Sequence, residues 1–222
     1  MGQTPPPAAS PEPMDNGFDA LAARIRACRL CAGALPHEPR PVFRAAPGAR
    51  LLIAGQAPGT RVHASGKPFT DPSGDRLRRW MGIDESVFYD ESRVAIVPMG
   101  FCFPGLDAAG GDRPPRKECR ATWHDALFEA LPNIRLTLAI GAHAQTYHLE
   151  RLGSSGPKRN VTETVADWRR FADGAPRLFP LPHPSWRNAG WLKRHPWFET
   201  ELLPDLRAAV ADCLADGDEA HK

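Results

Sequence analysis

Four short apolar runs divide this chain: Arg50 to Ala54, Val94 to Met99, Leu136 to Ile140 and Leu178 to Leu181. None alternates apolar with polar residues, so each reads as a strand buried on both faces. Helical patterns lie between and around them. Glu118 to Leu131 aligns Trp123, Leu127 and Leu131 on one face, and Gly141 to Leu149 follows the third run directly. Asp19 to Arg29, Gly74 to Met81, Thr162 to Phe171 and Trp197 to Leu214 supply further helices, the last with Pro204 in its early part. Residues 60–73 and Gly105 to Pro115 read as loops, with Pro36 to Pro47 and Arg151 to Asn160 as connectors. Strands alternating with helices predict a single three-layer α/β/α domain around a central, mainly parallel four-stranded sheet.

Open sheets of this kind gather ligands at the C-terminal ends of their strands. Two turns emerge there. Gly55-Gln56-Ala57-Pro58-Gly59 follows the first run, and His183-Pro184-Ser185-Trp186-Arg187-Asn188 follows the fourth. The first allows close backbone approach; the second brings a titratable imidazole and an Arg-Asn tip. Together they suit stabilising an anion that departs from a nucleotide.

A length of 222 residues with 42% hydrophobic content fits one domain, placed at 18–215. The Pro-rich segment 1–17 is expected to be a disordered tail and 216–222 a short flexible one. No run of 18 apolar residues exists, so no membrane span is expected, and the first residues lack the order of a signal peptide. A cytoplasmic monomer with reduced thiols is the expectation. Net charge is only +2, yet Arg and Lys cluster: Arg76, Arg78 and Arg79; Arg113, Arg116 and Lys117; Lys158 and Arg159; Arg187, Lys193 and Arg194. These are solvated faces or a strip for phosphates, and composition does not separate the two.

Cys28-Arg29-Leu30-Cys31 closes the first helix, and Cys102 and Cys119 follow 71 and 88 residues after Cys31. Four thiolates can hold a tetrahedral zinc or an iron–sulfur cluster. The alternative is that Cys102 and Cys119 are ordinary buried thiols. A redox pair is disfavoured because the motif does not follow a strand in a βαβ unit. Cys213 reads as a core or surface thiol.

Taken in order, the chain shows Cys-x-x-Cys, strand, Gly-x-x-Pro-Gly, Gly66-Lys67-Pro68-Phe69, strand, Cys, loop, Cys, strand and helix, strand, His-Pro-Ser. Over roughly residues 25–210 this resembles the iron–sulfur branch, family 4, of the uracil-DNA glycosylase superfamily. The resemblance implies excision of uracil from DNA by hydrolysis of the N-glycosidic bond. It implies a [4Fe–4S] cluster on Cys28, Cys31, Cys102 and Cys119, with zinc or no metal as alternatives. It assigns the backbone of Gly55, Gln56, Ala57, Pro58 and Gly59 to the base, Phe69 to stacking on it, and His183 to its O2. Ser185 to Asn188 match the loop that enters the duplex, with Arg187 as the wedge. Arg113, Arg116 and Lys117 then fit phosphate contacts.

Departures matter as much. Ala57 stands where the best-known branch has an Asp base, Gln56 where the iron–sulfur branch often has Glu, and Pro98 where an Asn reads the uracil edge. Phe103 to Glu118 holds no His, which favours ordinary turnover over covalent trapping. Asp71, two residues after Phe69, becomes the candidate for orienting water, with Asp75 as runner-up; both also fit as helix-start carboxylates. Glycosylases for hypoxanthine or xanthine, and a non-catalytic cluster-bearing DNA-binding protein of the same fold, remain the competing readings.

Overall fold

A computed structural model describes residues 16–154 and 160–215. Most of the expected N-terminal tail, the C-terminal tail, and Lys158 and Arg159 therefore lie outside the described residues. The sheet has four strands, β1 (Leu51–Ala54), β2 (Val94–Ile96), β3 (Leu136–Ile140) and β4 (Arg177–Leu181), in the order β2-β1-β3-β4. Every pairing is parallel, with Leu52 opposite Ala95 and Thr137, and Leu138 opposite Phe179. Pro180, which has no N–H, sits on the edge strand β4, where a missing donor costs no ladder bond.

Side chains leave each strand alternately toward two cores. Leu51, Ile53, Leu138, Ile140, Phe179 and Leu181 point to one face. There they meet α3 (Pro72–Met81), the pair α7 (Val161–Ala166) and α8 (Trp168–Ala172), and α10 (Leu203–Ala215). Leu52, Ala95 and Val97 point to the other face, under α1 (Asn16–Arg26) and α5 (Lys117–Glu129). Ala54, Ala139 and Leu178 complete that side against α6 (Gly141–Arg151). The result is the three-layer α/β/α architecture that the strand and helix alternation predicts.

Several boundaries differ from the expectation. Residues 60–73 are not one loop: Thr60–Ser65 forms α2, closed by Gly66 in the left-handed region at φ +73. Helix α3 starts two residues early, at Pro72, because the Asp71 side chain accepts the Gly74 N–H as its N-cap. A short helix, α4 (Glu85–Phe88), is capped by Asp84 in the same way. Regular β2 pairing ends at Ile96, although Val97 and Met99 still donate to the Ile53 and Gly55 carbonyls at 2.9 and 2.8 Å. The helix expected over 162–171 breaks at Asp167 into α7 and α8, the first carrying a capping box between Asn160 and Glu163. The long closing helix begins with a wide turn at Phe198–Leu202 before α10; Pro204 cannot donate into that turn. Ahead of it lie a single 3-10 turn, Trp186–Asn188, and α9 (Ala189–Arg194).

Candidate functional site

The chain order places β1 between β2 and β3, so successive connections leave β1 in opposite directions and open a crevice at the strand C-termini. A cavity of about 300 Å³ lies there. Every strand end contributes: the Gly55–Gly59 turn after β1, Pro98 after β2, Ile140 at the end of β3 and His183 after β4. Phe69, Asp71, Ser73 and Asp112 close its sides. The structure thus brings His183, Asp71, Phe69 and the whole Gly55–Gly59 turn into one pocket, although they span almost 130 residues of sequence.

The turn is held from both sides. The Gly55 and Gln56 carbonyls accept from Met99 and Gly100, and Gln56 Nε2 donates to the Arg113 carbonyl at 3.1 Å. Among the described residues, the amides of Gln56 and Ala57 have no protein acceptor. They are unpaired donors on two residues that line the pocket. Gln56 is therefore a tether between turn and loop as much as a pocket group.

Phe69 has φ +55, the only positive value among the described non-glycine residues. A side chain in that region costs about 1–2 kcal/mol, and such strain collects at functional sites when the surroundings enforce it. They do so here. Tyr89 Oη lies 2.7 Å from the Pro68 carbonyl and 3.1 Å from that of Phe69, and Arg78 Nη1 donates to the Phe69 carbonyl at 3.4 Å. The ring rests edge-on against Phe88 at 5.8 Å. Gly74 leaves the space: a Cβ there would come within 2.7 Å of the Phe69 carbonyl carbon and 2.9 Å of its Cβ. The aromatic face is fixed before any ligand arrives.

His183 has water-accessible surface toward the open pocket, yet protein surrounds it on the other sides. That burial holds its imidazole below the ordinary histidine value, against the opposing pull of Asp71 and Asp112. A neutral ring at neutral pH follows, able to donate one N–H to a developing anion. The loop behind it is pinned: Asn188 Nδ2 donates to the His183 carbonyl at 2.7 Å, and Arg76 Nη1 to that of Ser185 at 2.9 Å. Asn188 thus turns back into its own loop instead of lining the pocket. Arg187 is exposed, its guanidinium 5.9 Å from the Trp186 ring, which is itself 76% exposed. Trp191, by contrast, is built in, donating to Thr162 Oγ1 at 2.8 Å.

The two candidate carboxylates differ. Asp71 is committed: its Oδ1 accepts from Ser73 Oγ and from the Gly74 amide. Asp75 pairs with Arg78 and is not part of the cavity lining. Asp112, which sequence reasoning passed over, lines the pocket, and burial raises its carboxyl above the ordinary value while His183 and Arg187 act oppositely. A carboxylate inside the Gly-Pro loop was visible in the sequence, but nothing local showed that the loop folds back over the Gly55 turn.

Arg113, Arg116 and Lys117 line a second cavity of about 340 Å³ along the same loop and the start of α5. Arg116 is partly satisfied by Glu118, leaving Arg113 and Lys117 as the exposed cations.

The four cysteines meet in a third cavity, under Pro39, Pro41 and Trp123. Cys28 and Cys31 come from the turn after α1, Cys102 from the loop after β2 and Cys119 from the first turn of α5. Burial pushes the Cys102 thiol up to about 11 and that of Cys119 up to about 12, and the neighbouring cysteines add to both. The Phe101 N–H points at Cys119 Sγ, 3.3 Å away. No group of three or more His, Cys, Asp or Glu side chains among the described residues is placed so that it could hold a metal ion. The donor set nevertheless fits a thiolate-bound group: four sulfurs share one lining that contains no carboxylate.

No helix among the described residues is long and apolar enough to cross a membrane. Residues 43–207 match the family model of the uracil DNA glycosylase superfamily. That span contains all of the pocket lining but Val42, together with Cys102 and Cys119, and starts after Cys28 and Cys31. With the sheet, the strand-end pocket and this match in agreement, the chain belongs to the uracil DNA glycosylase superfamily.

Proposed function

We propose that this protein excises uracil from DNA by hydrolysing the N-glycosidic bond and leaving an abasic site. The observation that carries the reading is one pocket joining a pre-set aromatic face, Phe69, to a neutral imidazole, His183, and the unpaired amides of the Gly55–Gly59 turn. The extruded base stacks on Phe69. As the bond to C1′ breaks, its electron pair leaves with the base, and negative charge grows on a carbonyl oxygen that His183 and the turn amides meet. Fixed donors at the point where charge develops lower the barrier most, because they need no reorganisation.

Extrusion costs a few kcal/mol, and something must fill the gap left in the duplex. The exposed tip of the His183–Asn188 loop supports that role for Arg187 with Trp186 and the Ser185 backbone beside it. Arg113, Arg116 and Lys117 support a phosphate track leading to the pocket. The cysteine set supports a [4Fe–4S] cluster, with structural zinc as the alternative, on Cys28, Cys31, Cys102 and Cys119. Such a group would supply bracing between the N-terminal turn and the 102–119 segment, and hydrolysis needs no electron from it. A monomer working in the reducing cytoplasm is consistent with these free thiols.

Pro98 at the pocket floor gives a second reading its footing. It has no donor to read a uracil edge, and Ile96 and Ile140 beside it are equally indifferent, which favours another deaminated base such as hypoxanthine or xanthine. Oligonucleotides carrying uracil, hypoxanthine or xanthine, incubated with wild type and His183→Ala and resolved on denaturing gels after alkali, separate the readings. Cleavage at uracil that drops about 10²–10³-fold in His183→Ala is the expected result. Cleavage only at a purine lesion selects the second reading, and wild-type protein that cuts none of the three removes both.

A further inference from the structure

The Gly55–Gly59 turn has no acid or base of its own, so the attacking water must be held from elsewhere. Asp71 is poorly placed for that work. Its Oδ1 already serves Ser73 Oγ and the Gly74 amide as the cap of α3, which leaves one oxygen for any other partner. Asp112 is the other carboxylate of the pocket. Among the described residues its side chain makes no hydrogen bond and no ion pair, so both oxygens are available. It sits directly over the turn, with Oδ2 3.6 Å from where a Cβ on Gly59 would stand. A Cβ at 59 would be in ordinary van der Waals contact with it.

The loop that carries Asp112 is tied on both sides of it. Leu106 and Asp112 form an isolated antiparallel bridge, Asp107 N–H donates to the Gly111 carbonyl at 2.8 Å, and Arg113 N–H to that of Gly105 at 3.0 Å. The next residue is then hooked to the turn itself by Gln56. Asp112 is thus positioned with respect to Gly55–Gly59 through one residue of chain and one hydrogen bond.

We infer that Asp112 is the carboxylate that holds and deprotonates the attacking water, an assignment that rests on the proposed glycosidic hydrolysis. The C1′–N bond breaks with its electron pair going to the base. The water oxygen forms the new C1′–O bond, its surplus proton passes to Asp112 and then to solvent, and the departed base anion takes a proton from water. One water is consumed and nothing is oxidised or reduced. Partial burial raises the Asp112 carboxyl from its ordinary value, which strengthens it as a base, while its exposed side leaves room for the water. His183 stabilises the leaving group while Asp112 serves the nucleophile.

Single-turnover excision from a uracil oligonucleotide tests this with wild type, Asp112→Asn, Asp112→Ala and Asp71→Asn. The expected result is a rate loss of about 10²–10⁴-fold in both Asp112 variants, with DNA affinity retained and the Asp112→Ala rate partly restored by added formate. Asp71→Asn should lose thermal stability more than rate. Asp112→Asn at the wild-type rate overturns the inference. So does a slow Asp112→Ala enzyme that formate does not help and whose DNA affinity falls in parallel. Asp112→Glu, which keeps the charge, should retain more activity than Asn; the reverse order also overturns it. Wild-type protein inactive on every lesion would instead remove the glycosylase reading beneath it, an outcome distinct from all of these.

Discussion

Replacing Gly74 by alanine puts the geometry of the stacking face to a direct test. The added Cβ would lie within 2.7 Å of the Phe69 carbonyl carbon and still closer to its oxygen. Both are backbone atoms, so no side chain can swing aside. The Phe69 carbonyl must turn away from Tyr89 and Arg78, its two donors. A neutral hydroxyl bond contributes about 0.5–1.5 kcal/mol and a charged donor about 1.5–3 kcal/mol, so losing both costs roughly 2–4 kcal/mol. Alanine's better helix propensity offsets about 1 kcal/mol of this. A net loss of about 2 kcal/mol lowers Tm by roughly 4–8 °C for a domain of this size, and excision should slow because Phe69 leaves its pose. Calorimetry and single-turnover kinetics read both. The double variant sharpens the result: with Phe69→Gly the backbone at 69 turns freely, so Gly74→Ala should then cost at least about 1 kcal/mol less than it does alone. Gly74→Ala protein as stable and as fast as wild type, or strictly additive effects, would refute the reasoning.

His148 is 6% exposed, its Nε2 has no partner, and burial holds its ring down at about 3. Below pH 6.5 the unfolded chain takes up a proton that the native state refuses, so this contribution is complete above 6.5 and lost as pH falls toward 3. At 1.36 kcal/mol per pH unit it amounts to about 2–3 kcal/mol between pH 7 and 4.5; urea midpoints should show His148→Leu losing that much less than wild type over the same range, and equal losses would contradict it. On the DNA side, Arg113→Ala and Lys117→Ala together should weaken binding of damaged and undamaged oligonucleotides alike. The slope of log Kd against log salt, measured by fluorescence anisotropy, should shrink by about 1.4–1.8 in total; an unchanged slope would remove both residues from the phosphate track.

The strands were legible because parallel strands buried on both faces leave an unbroken apolar run, and all four runs became strands. Their ends were less so. The expected extension of β2 to Met99 survives as hydrogen bonds to Ile53 and Gly55 without regular pairing. Helices of four to six residues, such as α2, α4 and α9, are too short to show a period. At the site, residues fixed by strand ends were readable from sequence: the Gly55 turn and His183 must meet if β1 and β4 flank β3. Asp112 was not readable in this way. Its place depends on a bond between Gln56 and Arg113, 57 residues apart, and on turns inside the loop, neither of which leaves a local pattern. Asp71 is ambiguous in the sequence for a physical reason, and in the structure it both caps α3 and lines the pocket. The signals that mark a helix cap and a pocket carboxylate are the same residue in the same loop, and here the cap takes one of its oxygens.

Cys102 and Cys119 bound the very segment that carries Asp112 and Arg113. A loop pinned at both ends has fewer conformations to lose when a central residue is fixed, and here two short ties, Leu106 to Asp112 and Gln56 to Arg113, do the fixing. Anything that gathered the four sulfurs would narrow where Asp112 can be relative to the Gly55 turn. The same segment carries the exposed cations of the proposed phosphate track. DNA bound to those cations would therefore contact the same loop that carries Asp112. A glycosylase whose first motif has no carboxylate can work in this way. On that inference the base would sit on the loop after β2, and Gln56, through its bond to the Arg113 carbonyl, is the hook that ties that loop to the Gly55 turn.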